Sequence, residues 1–230
     1  MAQNWDAGQE TFSATNAMGT GPFKITLREP NTKTVFKRNK KWWGTMKDDK
    51  VTEIHLLPIK NAATRVAALL SGEIDVVTDA PVQDLARIKN SPAHKVESTA
   101  QMRTIFLGMD QGADKLRTGN TGDNPFKKKA VRQALYQAID IEAIKKKVMR
   151  GLSEPAGIIT FPGVNGYTEE LDKRLPYDVA AAKKLLADAG YPNGFEVELR
   201  CPNDRYVNDE AICTAVVGML GKIGVKVNLF

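Results

Sequence analysis

Phe23, Ile25 and Leu27 alternate with Lys24, Thr26 and Arg28, the period-two pattern of a strand buried on one face. EPNTK then supplies turn residues and TVFKRN resumes the strand pattern, so residues 22–39 read as a hairpin. Residues 52–59 form a further strand. Asn61 stands as the cap of a helix running to Leu70, with Val66, Leu69 and Leu70 on one face and Gly72 as its stop. IDVV reads as a short buried strand. A helix over DAPVQDLARIKN follows, with Asp79 as cap and Pro81 near its first turn. Strands are expected again at 94–98 and 103–109.

Residues 110–124, DQGADKLRTGNTGDN, break the pattern and read as a linker. Beyond it Phe126, Ala130, Val131, Ala134, Leu135 and Ala138 form a helical stripe. A second helix is expected from Asp140 to Gly151, and a proline-bearing loop region comes next. Asp178 caps VAAAKKLLADAG, which Gly190 terminates. In the strand 195–201, Phe195, Val197, Leu199 and Cys201 face one way and Glu196, Glu198 and Arg200 the other. A helix at 209–223, Gly224 and the strand VKVNLF complete an α/β pattern of mixed order. That strand ends at Phe230 without a closing element, which leads us to expect an interior piece of a larger fold.

Composition narrows the function classes. The 230 residues are 42% hydrophobic and 26% charged, ordinary for a globular protein with a real core. The net charge is +6, but the basic residues are scattered except for Lys127–Lys129 and Lys145–Lys147. Aromatics do not interleave with these runs, so they read as solvated helix faces and no nucleic-acid partner is expected. No apolar run is long enough to span a bilayer, and MAQNWDAGQETFSATN lacks the apolar region of a signal peptide. Composition therefore leaves the compartment open. Cys201 and Cys213, the two cysteines, are expected as buried free thiols, with a disulfide as the alternative.

Little catalytic chemistry is visible. GTGPF lacks the GK[ST] ending of a phosphate loop and leads into a strand, so it reads as a turn. His55 and His94 have no acidic or cysteine cluster around them, and GxSxG, HExxH and GxGxxG are missing. Glu73 and Asp75 could line one side of a strand, but a helix-stop turn with two solvent-facing acids explains them more simply. Trp42 and Trp43 could stack on a ligand, although beside a strand end they more often cover a sheet edge. No enzyme activity, cofactor or metal is expected.

RCPNDRYVNDE, residues 200–210, carries the most polar chemistry. It joins the C-terminal end of a strand to the N-terminal end of a helix, where ligands of open α/β sheets tend to bind. Unpaired N–H groups there suit a carboxylate. Arg205 precedes the expected cap, Asn208, and could add a bidentate contact; Tyr206 could add a ring or a hydroxyl. Spacing alone leaves Arg205 evenly between this role and an exposed loop arginine. Arg200 falls on a solvent face where a cross-strand ion pair suffices, and Asp209 and Glu210 serve as first-turn acids.

GTGPFKI, FKRNKKWWG, ATRVAALLSGEIDVV, NPFKKKAVRQALYQAID, YDVAAAKKLLADAGYPNGF and GVKVNL, in that order, resemble the solute-binding proteins of peptide-type ABC transporters. Each stretch alone is weak; their shared order over residues 18–230 makes the resemblance specific. It implies a two-lobed periplasmic-binding-protein type of fold, with mixed sheets and flanking helices, incomplete in this chain. Residues 1–110 would be part of lobe one, 111–124 the crossover and 125–230 the first part of lobe two. The implied function is binding of a short peptide or similar small solute for delivery to the permease subunits of an importer. The binder would be a monomer, periplasmic or lipid-anchored.

The resemblance aligns PNDRYVND so that Arg205 pairs with the ligand carboxylate, with Tyr206, Asn203 and Asn208 as neighbours. The family's acidic partner for a peptide amino group would fall beyond Phe230. KKKAVRQAL departs from the family's more acidic run, which bears on surface charge, and the two histidines match no ligand position. A metal chelate, sugar or opine-like ligand is the alternative within the family. From other classes, the alternatives are a signalling or chaperone-like binding protein or a hydrolase.

Overall fold

The computed structural model describes residues 17–46, 51–99, 101–119, 122–203 and 205–230. The polar N-terminal stretch, Asp204 and two linker positions lie outside the described residues. The chain divides into two compact units, Met1–Arg65 and Val66–Phe230.

The first unit holds three antiparallel strands in the order β1-β2-β3: β1 (Phe23–Glu29), β2 (Lys33–Arg38) and β3 (Glu53–Leu56). The hairpin forms as its alternation predicts, with one departure. Ile25 pairs with Phe36 and Leu27 with Val35, so Thr26 is the extra residue of a bulge. The bulge puts Ile25 and Leu27 on opposite faces, and Leu27 is exposed although simple alternation sets it beside Ile25. Trp42 is structural: its Nε1 donates to the Thr20 carbonyl at 2.9 Å, and its ring lies where a side chain on Gly44 would need to be. Trp43 is 84% exposed and covers nothing comparable.

Helix α1 (Ala62–Ser71) starts at the expected cap, where Asn61 Oδ1 accepts from the Thr64 amide at 2.9 Å. Gly72, at φ +79°, ends it in the left-handed conformation, and the Glu73 amide returns to the Ala68 carbonyl. Glu73 and Asp75 are exposed on this stop, which is the simpler of their two readings.

The 74–109 region differs from expectation. IDVV is not a strand: Ile74 and Val77 pack on the buried cluster of Val66, Leu69 and Ile88, while Val76 is 76% exposed. Asp79 does not cap a helix; its φ is +52°, and helix α2 is only Leu85–Lys89. Residues 94–98 and 103–109 pair with no strand among the described residues, although Val96 packs on the small cluster and Leu107 and Met109 on the larger core.

That larger core is built from helix α3 (Lys129–Ala138), α4 (Ile141–Ala143) with its π-helical continuation Ile144–Val148, α5 (Val179–Asp188), β4 (Glu196–Leu199), α6 (Asp209–Gly221) and β5 (Lys226–Leu229). The stripe Val131, Ala134, Leu135 and Ala138 packs with Ala182 and Leu186 of α5, as the 3.6-residue spacing requires. Asp140 and Asp178 cap their helices, each accepting from an amide three residues on at 2.9 Å. β4 and β5 pair in parallel, with α6 as the crossover. A side chain on Gly194, at φ +73°, would run into the Gly224 backbone, so only glycine lets the turns entering β4 and β5 meet.

The 110–124 segment is tied at both ends. Asp110 Oδ1 accepts from the Gly112 and Ala113 amides, and these bonds hold its carboxyl below the usual aspartate range. Asn124, 2% exposed, donates to the Asp110 and Ala113 carbonyls and accepts from the Phe126 amide.

Candidate functional site

The β4 ladder continues to Cys201, whose amide donates to the Phe230 carbonyl at 2.8 Å, and the loop leaves the sheet there. Cys201 is bonded to Cys213 on α6, with Cα atoms 6.5 Å apart. The expected free thiols are therefore a disulfide. Alternation turned Cys201 toward the helix and helical spacing turned Cys213 toward the sheet, and the fold brings them together. The bridge fastens the loop's start to the second turn of α6.

Asp209 organises the rest of the loop. Its Oδ2 accepts from the Arg205 and Tyr206 amides, each at 3.0 Å, and its Oδ1 from the Glu210 amide at 2.9 Å. Asp209 is a first-turn acid of α6 as expected, and at 6% exposure it is also a buried acceptor for the loop. Asn208 holds the expected N-cap position of α6, but not by the expected bond. Asn208 sits in the left-handed region at φ +57° and makes no side-chain cap bond. Its Nδ2 donates instead to the Val148 carbonyl at 2.9 Å, tying the loop to the end of the π-helical turn.

With its backbone held this way, the loop presents Arg205 and Tyr206 together. Arg205 is exposed, and its Nε donates to the Tyr206 hydroxyl at 3.0 Å. That bond, with the electrostatic pull of the phenol, raises the guanidinium above the ordinary arginine pKa. Among the described residues the two terminal nitrogens of Arg205 have no hydrogen-bond partner, which leaves them for a carboxylate. Arg200 has Glu198 of its own strand at 3.8 Å in place of a cross-strand partner, and its side chain is exposed. Asn203 is exposed and has no hydrogen-bond partner among the described residues.

Sequence reasoning missed Arg103. Its guanidinium carbon lies 5.3 Å from the Tyr206 ring centroid, against 5.5 Å for Arg205. No spacing signal links positions 103 and 206; the contact comes from the path of the 101–109 segment along the core.

The other candidates have local roles. His94 bridges Ser91 Oγ at 2.8 Å and the Leu69 carbonyl at 2.9 Å, and His55 pairs with Glu53 at 2.6 Å. Among the described residues no group of three or more His, Cys, Asp or Glu side chains is placed to hold a metal ion. No helix among them is long and apolar enough to cross a membrane.

The family model described as "Bacterial extracellular solute-binding proteins, family 5 Middle" matches residues 3–229. Heme-binding protein A of Haemophilus influenzae is 30% identical over 229 residues, which are 96% of this chain and 39% of that protein. Di/tripeptide-binding protein 1 of Pseudomonas aeruginosa is 30% identical over 217 residues, 92% of this chain and 38% of its own. Among solved structures, the binding protein AgaA of A. tumefaciens R10 in complex with agropinic acid is 31% identical at a TM-score of 0.68, covering 95% of this chain and 43% of AgaA. DppA of Helicobacter pylori in complex with the peptide STSA is 25% identical at a TM-score of 0.71, covering 92% and 38%. The chain thus spans 38–39% of the length of these two curated relatives.

Proposed function

Since the chain belongs to the bacterial extracellular solute-binding proteins of family 5 and has a periplasmic-binding-protein type of fold, we propose that it is part of the solute-binding component of an ABC importer. The ligand is a short peptide or similar small solute, bound without being transformed and handed to membrane permease subunits. The protein acts as an extracytoplasmic monomer. Ligand bridges two lobes and stabilises the closed state through its preferential affinity for it. In this reading residues 1–110 belong to lobe one and 125–230 to lobe two, with 111–124 between them.

The observation that carries the reading is the loop itself. Asp209, Asn208 and the disulfide hold its backbone, and among the described residues the Arg205 fork, the Tyr206 ring and the Asn203 amide are left over. Arg205 anchors the ligand carboxylate, Tyr206 orients Arg205, and Asn203 and Asn208 are the weaker neighbours. Two relatives support a peptide: one is named a di/tripeptide-binding protein and another was solved with STSA. The 31% identical structure holding agropinic acid supports a second reading, a non-peptide carboxylate ligand.

Calorimetry on the full-length protein with di- to pentapeptides tests the substrate class. Heat from at least one peptide is expected, and silence from all of them would favour the second reading. Arg205→Ala should weaken a carboxylate ligand by about 1.5–3 kcal/mol. Unchanged affinity would return Arg205 to the status of an exposed loop residue. Chromatography after incubation should recover the peptide intact; turnover would sink the binding reading.

A further inference from the structure

We infer that Arg103 is a second ligand cation and that this loop takes a solute carrying two carboxylates, an inference that rests on the loop being the ligand site. Two guanidiniums lie over one tyrosine ring, each within 5.5 Å of its centroid. Both arginines are exposed. Among the described residues neither has a carboxylate in ion-pair range, and the nearby Asp209 already accepts from three backbone amides. Arg132 and Arg174, by contrast, donate to main-chain carbonyls at 2.6 and 2.7 Å, and no such bond holds Arg103 or Arg205 among the described residues.

The geometry keeps both cations available. A guanidinium stacked on a ring spends its face there and leaves its in-plane N–H groups free. Arg205 uses only Nε on the tyrosine hydroxyl. The neighbour of Arg103 is held, since Thr104 Oγ1 donates to the Ile159 carbonyl at 2.7 Å. Sharing one ring places the two guanidinium carbons no more than about 11 Å apart. That span suits a small molecule whose carboxylates are separated by several bonds, such as a dipeptide ending in glutamate. One carboxylate meets Arg205 and the other Arg103, with Tyr206 between them.

Titration calorimetry on the full-length protein would use three probes: Ala-Glu, its neutral isostere Ala-Gln, and an N-carboxyethyl amino acid, which has two carboxylates and no peptide bond. The wild type should bind Ala-Glu at least about ten-fold tighter than Ala-Gln. Arg103→Gln should erase that preference while leaving Ala-Gln affinity unchanged, and Arg103→Lys should restore part of it. Equal loss for both peptides in Arg103→Gln would reduce Arg103 to positioning Tyr206 and overturn the inference. Equal binding of both by the wild type would overturn it while the peptide reading stands. Binding of the N-carboxyethyl compound alone, with the same Arg103 dependence, would sustain the inference and sink the peptide reading. Silence with all three overturns it.

Discussion

Residues 94–98 and 195–199 both place alternate side chains deeper than their neighbours, but different interactions hold them. In the first segment His94 and Val96 are half-buried while Lys95 and Glu97 face solvent and pair with each other. It rests on a small cluster, and no neighbouring strand among the described residues takes its backbone groups. In the second, Phe195 and Val197 enter the main core while the backbone pairs with β5 from Glu196 to Leu199. Alternation therefore records which side chains meet a surface. Whether the segment is a strand depends on a second chain segment arriving in register.

The largest expected effect comes from removing what lies beneath the ladder. Leu186, 1% exposed, sits in the main core, and Leu186→Ala should cost about 3–5 kcal/mol in urea denaturation. Ile88→Ala, in the small cluster, should fall near about 2 kcal/mol because its surroundings can close over the gap. Equal losses would erase the distinction between the two cores.

Opening the Cys201–Cys213 bridge by the paired serine substitutions should cost about 2–3 kcal/mol, given its short closed loop. The same loss on adding dithiothreitol to the unmodified protein would confirm its source. Carboxylate affinity should fall alongside, because the loop loses its tie to α6.

A smaller effect sharpens the comparison directly. Val197→Ala should cost about 2 kcal/mol and Val96→Ala under about 1 kcal/mol, since only the first side chain is fully buried. Hydrogen exchange should show protected amides in β4 and fast exchange at 95–97; slow exchange there would reveal a ladder absent among the described residues.

The smallest effect lies at the edge of the main core. Burial, then the hydrogen bond to Asp123, pushes the Tyr191 hydroxyl from the usual 10.0 to about 12. A tyrosine harder to ionise in the folded chain contributes fully below pH 10.0 and loses that contribution as pH rises through about 12. Tyr191→Phe should cost about 1 kcal/mol at neutral pH and flatten the alkaline fall in stability. An unchanged alkaline limb would show that another group governs it.

Much of the fold was legible because its signals are local. Asn61, Asp140 and Asp178 cap the helices that follow them, and Gly72 and Gly190 adopt the positive φ that ends a helix. The misreadings share one cause. IDVV, 94–98 and 103–109 looked like strands from side-chain pattern alone, and that pattern carries no information about a hydrogen-bonding neighbour. Asp79 looked like a cap from its place before Pro81, but the chain turns there at φ +52°. The candidate site was half legible: the order of residues between a strand and a helix pointed to Arg205 and Tyr206. It could not show that Asp209 would turn inward, that Asn208 would reach Val148, or that Arg103 would share the tyrosine ring.

Taken alone, the sequence determined most of the helices, the caps Asn61, Asp140 and Asp178, the strand–helix–strand order from β4 to β5 and, through the order of its segments, the family. Caps, stops and helical stripes depend on residues a few positions apart, so they survive without knowledge of the rest of the chain. Tertiary structure decided the disulfide, the role of Asp209 and the pairing of two arginines on Tyr206. Each joins groups by their position in space, and Arg103 reaches its partner only after the core has formed beneath both segments.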